Sequence, residues 1–397
     1  MLRVRESSWL NVHSVSQLVI ILAMGVVSMA GCGSDGDGGP TPTRQPGAII
    51  LPPLAEGGLV YPNAVSADGS TVVGYGEDAE GKVEAFRWTS KEGTVALGFV
   101  PGYTDGSNAA STSGDGSMIV GISINETLGT GAAWYWTKGG GMQPIPMPVE
   151  VLGSNAIQIT EDGKYVLGAY TTKADEVTFG FIWSDRGGTQ TVENSDSVAP
   201  DQFAPVGITA DGFTVFFNRE TADNTTGKQG GVLHQYGLPL GQGEWGGYNL
   251  TPQDSLDTFF VANGAVSRDG RTVAGFISRV DHFVTPGIWL GLGSLLEIAP
   301  SVIGRTKCVS PDGSMAGGGN GDMGSAFIWD TQVGHRNLVV HLQALDEERG
   351  THYLDVFEAT GGPADVTGIA ADNKRMVGTA GQVAFSDHWG AFLLDLP

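Results

Sequence analysis

Cysteine is almost missing from this chain: 397 residues contain two, Cys32 and Cys308. Their unlike surroundings exclude a disulfide framework, and no Cys/His spacing of a zinc site occurs. Basic residues are scarce as well. Lys and Arg number 21 against 43 Asp and Glu, a formal net charge of −22. Such a surface repels nucleic acid and offers no phosphate-binding stripe. Only 16% of the chain is charged, whereas 62 residues are Gly. That composition favours turns and strands over helices. The N-terminal apolar run, Leu18 to Val27, is too short to span a bilayer, which takes about 20 residues.

That run follows Arg3 and Arg5 and leads into Ser28-Met29-Ala30-Gly31-Cys32. A basic start, a short apolar core and small residues make a signal peptide over 1–31. The last five residues resemble the bacterial lipobox, with Met29 where Leu is commonest. The resemblance implies lipidation of Cys32 as the first residue of the exported chain. Removing residues 1–31, with Arg3, Arg5 and Glu6, leaves the remainder one unit more acidic. Residues 32–47 carry Gly33-Ser34-Asp35-Gly36-Asp37-Gly38-Gly39 and then Pro40-Thr41-Pro42-Thr43, the composition of a flexible tether followed by a stiffer spacer.

From residue 48 onward the chain repeats itself. An Asp-Gly pair recurs at Asp68-Gly69, Asp115-Gly116, Asp162-Gly163, Asp211-Gly212, Asp269-Gly270 and Asp312-Gly313, and as Asp372-Asn373 in the seventh copy. Six residues after the Asp stands Gly74, Gly121, Gly168, Gly275, Gly318 or Gly378; the fourth copy has Phe217 instead. Further on comes Trp88, Trp136, Trp183, Trp289 or Trp329, with His234 assigned to that place in copy four and Leu394 in copy seven.

Asp-Gly between alternating apolar runs is a hairpin signal, because the turn needs a positive φ that Gly supplies and Asn tolerates. The Thr-Val-Val type of run after it reads as a buried strand. The Gly closing that strand suits a bulge or a close backbone approach. The Trp supplies apolar area for packing between neighbouring sheets. Room remains for two more strands per copy, and four strands in 40 to 50 residues is the arithmetic of a propeller blade. Two longer spacings imply insertions, around Gly241–Phe260 and His335–Gly350. In the second, Leu338, Leu342 and Leu345 share a helical face ahead of Gly350, which predicts one short helix.

The two ends complement each other. Ala391-Phe392-Leu393-Leu394 matches the Trp strand, and Ala48-Ile49-Ile50-Leu51 matches the strand that normally follows it. The expected fold is therefore all-β: a seven-bladed propeller of four-stranded antiparallel blades over 48–397, closed by pairing of the N- and C-terminal strands. An open β-solenoid would want capping units instead. Ala85-Phe86-Arg87-Trp88, Ala326-Phe327-Ile328-Trp329 and Ala391-Phe392-Leu393-Leu394 resemble the extracellular repeats of the HAF family. Glu84, Ser325 and Gly390 stand where that family has His. The resemblance implies a secreted or surface β-repeat protein and carries no activity or site residues.

Catalytic motifs are lacking. Gly319-Asn320-Gly321-Asp322-Met323-Gly324 spells G-x-G-x-x-G, but a strand follows it, not a helix whose N-terminus could hold a pyrophosphate. No His-Glu-x-x-His and no Gly-x-Ser-x-Gly occurs. His335, His341 and His352 gather near Asp346, Glu347 and Glu348 without the i, i+4 spacing of zinc motifs, so no metal and no cofactor is expected. Cys308, within an apolar-alternating strand, reads as a small buried hydrophobe. Copy four departs most from its siblings, and the insertion Glu244-Trp245-Gly246-Gly247-Tyr248 follows it. Binding residues favour loops that interrupt a scaffold, which makes Trp245, Tyr248 and His234 the candidate ligand residues.

The expected protein is a monomeric module of the bacterial cell envelope, held to the membrane through Cys32 and binding a protein or glycan. Two alternatives remain: a polysaccharide hydrolase or lyase with carboxylates in the central channel, and a purely structural envelope protein.

Overall fold

The computed structural model describes residues 47–192, 203–222, 229–237, 248–249, 258–279, 284–291, 294–300, 302–320, 325–358, 362–381 and 390–397. Its strands form seven four-stranded antiparallel sheets. Six are continuous in sequence, over 60–96, 106–144, 151–192, 203–249, 258–297 and 305–337. The seventh takes three strands from 363–395 and its fourth, Gly47–Leu51, from the other end of the chain. The first strands touch in sequence order, from Val60–Val65 to Gly106–Thr112 and onward to Pro363–Ile369, which touches Val60–Val65 again. The ring is closed. The protein is a seven-bladed β-propeller, and these seven strands surround its axis.

The Asp of each turn acts inside the turn. Ser66 Oγ donates to Asp68 Oδ1 (2.6 Å), the Ser70 amide donates to the same oxygen (2.8 Å), and Ser66 Oγ accepts from the Thr71 amide (2.9 Å). Ser113 with Asp115, Thr160 with Asp162, Thr209 with Asp211, Ser267 with Asp269 and Ser310 with Asp312 repeat the arrangement. The hydroxyl two residues before the Asp is thus as much part of the signal as the Gly after it. Asn373 holds the positive φ (55°) in the seventh copy. At Gly116 a second constraint acts, since a Cβ there would lie 2.1 Å from Thr71 Oγ1 of the preceding blade.

The Gly expected to close the second strand lies inside it, as Gly74 does within Thr71–Glu77 and Gly378 within Arg375–Ala380, and it faces a bulge. Every first strand has a register shift at the same level, for example between Pro62 and Ala64, Ala109 and Ser111, and Thr306 and Cys308. A Cβ on Gly378 would sit 1.9 Å from the Asp365 carbonyl oxygen and 2.5 Å from the Phe392 ring. Gly121 and Gly168 stand in the same way against Trp134 and Phe181. The Gly lets a bulged carbonyl and a buried aromatic ring share one place. The repeated Trp residues do pack between blades: Trp88 joins Val72 of its own blade with Val377 and Leu393 of the seventh.

Pairing corrects one alignment. The Trp positions pair with the residue four after the turn Asp, as in Trp88 with Val72 and Trp289 with Val273. In blade four that partner, Val215, pairs with Tyr236, and His234 pairs with Phe217. His234 therefore stands where other blades put Phe86, Phe181 or Phe327. The hairpin strands of this blade have nine residues each against seven in blade one, and the Trp-equivalent Tyr236 lies 25 residues after Asp211 where Trp88 lies 20 after Asp68.

Ring closure pairs Gly47 with Asp395 through to Leu51 with Ala391. At the turn end, Arg375 reaches Asp395 with Nε (2.6 Å) and Nη2 (2.5 Å), and its Nη1 donates to the Gly69 carbonyl of blade one. The predicted helix is Leu338–Arg349, capped by Asn337 and by Gly350 in the left-handed region, with Leu338, Leu342 and Leu345 buried. His335 precedes the insertion, on the strand Gly334–Asn337. The insertion reinforces the closure: Tyr353 Oη donates to the Asp395 carbonyl (2.7 Å), and Phe357 meets Phe392 edge-on at 5.5 Å.

Candidate functional site

Polar side chains on the first two strands of the blades bridge from blade to blade around the axis. Asn63 of blade one, the residue inside its bulge, donates to Asn108 Oδ1 (2.6 Å) and to the Ala109 carbonyl (2.8 Å) of blade two. Thr367 of blade seven donates to the Pro62 carbonyl of blade one, and Asn218 of blade four to the Ala262 carbonyl of blade five. The bulge turns a carbonyl outward, and the preceding blade supplies its donor.

Two groups reach further, to a blade two places away. Lys307, inside the bulge of blade six, pairs with Asp365 of blade seven and donates to Tyr61 Oη of blade one (3.3 Å). The Tyr61 ring stacks on Tyr75, centroids 5.2 Å apart and 13° between planes. Asp365 Oδ1 is buried without a partner among the described residues. Desolvation works against the Lys307 ammonium, but Asp365 and then Tyr61 outweigh it and its pKa rises. Lys307 is therefore a cation at neutral pH. Burial raises Tyr61 and Tyr75, so both phenols stay neutral. Side chains on inner strands two blades apart meet only across the axis, so this cluster belongs to the channel.

The second group lies at the turn end. Arg268 of blade five donates through Nε to Glu161 Oε1 of blade three (3.1 Å), passing over blade four. Each occupies the position before a turn Asp. Backbone bonds link the turns: Asp68 N to the Gly114 carbonyl, Gly114 N to Glu161, Ala210 N to Arg268, Arg268 N to Pro311, and Ala371 N to Ala67. Pro311 has no amide hydrogen to donate onward to blade seven. This belt and the Arg268–Glu161 hydrogen bond draw the turn end of the channel together. Burial, helped by Asp162, pushes the Glu161 carboxyl up to about 8, and desolvation lowers Arg268.

An open cleft of about 590 Å³ lies at the other end of blade three, lined by Val149, Glu150, Tyr170, Lys173, Phe179 and Thr191 among others.

Of the residues expected to bind, Cys32 and Trp245 lie outside the described residues. His234 and Tyr248 fall on adjacent strands, the third and fourth of blade four, where Tyr248 pairs with Gln235 and Asn249 with His234. These are the outer strands, away from the axis. His335 lies tilted against Phe327 (centroids 5.1 Å, 39° between planes), His341 is on the helix, and His352 meets Asp355 (3.2 Å). Desolvation lowers the pKa of both His335 and His341. The three histidines do not converge, and no group of three or more metal-capable side chains occurs among the described residues. Cys308 is fully buried, and burial raises its thiol pKa. The channel residues were not singled out by sequence. Their signal was a charge inside an otherwise apolar first strand, as at Lys307 and Asp365.

No family model matches this chain, and neither does any curated protein. Solved structures do. The β-propeller domain of the Trilobed protease from Pyrococcus furiosus superposes with a TM-score of 0.54 at 13% identity, over 85% of this chain and 93% of that one. That domain is described as having an open velcro topology; here the closing strand comes from the other end of the chain. Acylaminoacyl peptidase from Pyrococcus horikoshii gives 0.50 at 12% identity, over 81% of this chain and 49% of that one. TolB from Acinetobacter baumannii gives 0.46 at 14% identity over 68% of this chain, which spans 64% of TolB. At such identities the likeness is one of fold, the propeller, and the ligand is left to the site itself.

Proposed function

We propose that this protein is an exported propeller, anchored through a lipid on Cys32, that holds a protein or glycan of the cell envelope in its axial channel without chemically altering it. One observation carries the reading. The channel's two carboxyl groups are engaged at different levels, Glu161 by Arg268 in the turns and Asp365 by Lys307 of the neighbouring blade inside the first strands. Hydrolysis of a glycosidic bond uses two carboxyl groups flanking that bond; Glu161 in a turn and Asp365 within the strand Pro363–Ile369 stand at separate levels and do not flank one bond. Stacked neutral phenols beside an ammonium and a carboxylate instead offer apolar area with hydrogen bonds at its border, the composition of a binding surface. The lipobox-like segment supports the anchor, and the HAF-like repeats support a location outside the cytoplasm.

The test is retention of the purified protein on cell-envelope polysaccharide and peptide fractions, with new reducing ends and new amines measured together. Retention without either product, lost in Tyr61→Ala and kept in Trp245→Ala, is expected. Product formation abolished by Glu161→Gln or Asp365→Asn would establish the hydrolase instead. Loss of retention in Trp245→Ala alone would move the site to blade four. For the anchor, labelling with radioactive palmitate is expected for the parent and absent for Cys32→Ala.

A further inference from the structure

The inner edges of four blades are already taken. A first strand leaves one edge facing the axis, and a peptide bound in extended form would pair with the main-chain groups on that edge. Side chains of the neighbouring blade occupy them instead. The carbonyls of Pro62, Ala109 and Ala262 accept from side chains of the preceding blade, and Asn218 also accepts from the Ala262 amide. Gln158 of blade three holds both the amide and the carbonyl of Ile208 in blade four. Blades one, two, four and five are thus closed to strand addition at this level, and what they offer a ligand is their side chains.

The side chains of the Lys307 cluster suit an uncharged sugar. Tyr61 and Asp365 stand near the starts of Val60–Val65 and Pro363–Ile369, toward the end of the channel away from the turns. Lys307 and Asp365 neutralise each other, and their side chains are 21% and 14% exposed. Arg305, the other cation of that strand, lies over the Phe276 ring of blade five, 4.6 Å from its centroid. A charged ligand would find no free counter-charge in the cluster and would have to part a largely buried pair, which is costly. Hydroxyl groups need no counter-charge. The ammonium has three protons to donate and gives two, to Asp365 and Tyr61. Asp365 Oδ1 has no donor among the described residues, and Gly319 beside it carries no side chain that could provide one. A hydroxyl accepts from an ammonium and donates to a carboxylate, and adjacent hydroxyls on one ring do both at once. The half-buried, nearly parallel rings of Tyr61 and Tyr75 add a flat apolar surface that fits the C–H face of a pyranose. We infer that the ligand of the channel is a neutral glycan, one sugar ring of which lies on the Tyr61–Tyr75 pair and bridges Lys307 and Asp365 through adjacent hydroxyl groups. This rests on the proposed reading of the channel as the binding site.

The experiment probes the full chain on two arrays, one of neutral, uronate-bearing and amino-bearing oligosaccharides and one of peptides of matched length. Binding confined to neutral oligosaccharides is expected. Affinity for the best of them, measured by isothermal titration, should fall about tenfold or more in Tyr61→Ala and in the double variant Lys307→Met with Asp365→Leu. The double variant replaces the ion pair by an apolar pair and so keeps the fold; an unchanged Tm assigns its loss of binding to the missing hydrogen bonds. Binding to peptides alone, or to charged oligosaccharides in preference to neutral ones, overturns the inference, and its loss in Tyr61→Ala would leave the channel standing as the site. Neutral-glycan binding that neither variant weakens also overturns it, because the sugar would then lie elsewhere. A parent that binds nothing on either array overturns it as well; retention on whole envelope fractions, lost or kept in Tyr61→Ala, then decides the channel reading separately.

Discussion

Replacing Gly378 by Ala tests whether the second-strand glycines are there to seat a carbonyl and a ring together. The added Cβ would lie 1.9 Å from the Asp365 carbonyl oxygen and 2.5 Å from Phe392 Cζ. Contacts of that type belong near 3.2 to 3.5 Å, so the bulged strand must retreat by more than about 1 Å or the ring must leave its rotamer. Phe392 is fully buried, on the strand that the N-terminal strand closes upon. The retreat would therefore loosen ring closure as well as one blade. Overpacking of this kind costs about 1–3 kcal/mol, and the two simultaneous clashes place it at the upper end. With about 2.1 cal/mol/K of unfolding entropy per residue over some 350 residues, 3 kcal/mol lowers Tm by about 4 °C. Gly139→Ala is the control: nothing lies within 4 Å of its added Cβ and its φ is unexceptional, so its Tm should stay level or rise slightly. Differential scanning calorimetry of both variants decides the matter. A Gly378→Ala protein that melts with the Gly139→Ala control would refute the packing argument.

Lys307→Met leaves Asp365 buried without its cation and should cost about 3–5 kcal/mol in denaturant titrations. The double change Lys307→Met with Asp365→Leu should regain most of that, and a double variant no better than the single would contradict the pairing. Glu161 has its folded pKa raised to about 8 above an ordinary Glu value near 4.3. The folded state then binds the proton more tightly than the unfolded one, so this group's contribution is full below about pH 4.3 and is lost as pH rises toward 8. Glu161→Gln should flatten stability across that window, and an unchanged pH slope in chemical denaturation would rule the assignment out.

Much of the architecture was legible because its signals are local and repeated. A turn Asp-Gly, an apolar run, a Gly and a Trp each report on neighbours within one blade, and seven copies average out the exceptions. Closure was legible because Ala48–Leu51 and Ala391–Leu394 each lack the partner strand that the other supplies. Blade four misled by counting: the spacing of about 20 residues between turn Asp and Trp favours His234, 23 after Asp211, whereas its longer hairpin puts Tyr236 opposite Val215. The channel was the least legible part. Lys307, Asp365 and Tyr61 are far apart in sequence, and they meet because blades six, seven and one are adjacent only once the ring closes. Arg268 and Glu161 likewise meet only across the turn belt. No periodicity reports a contact between non-adjacent repeats.

Ring closure by the first strand is what the binding channel depends on, and amide hydrogen exchange on the intact chain measures it without any substitution. Residues 47–51 should exchange as slowly as the neighbouring strand Gly390–Asp395, and far more slowly than the connection 52–59 that follows. Exchange of 47–51 at the rate of that connection would show the ring to be open and would contradict the account.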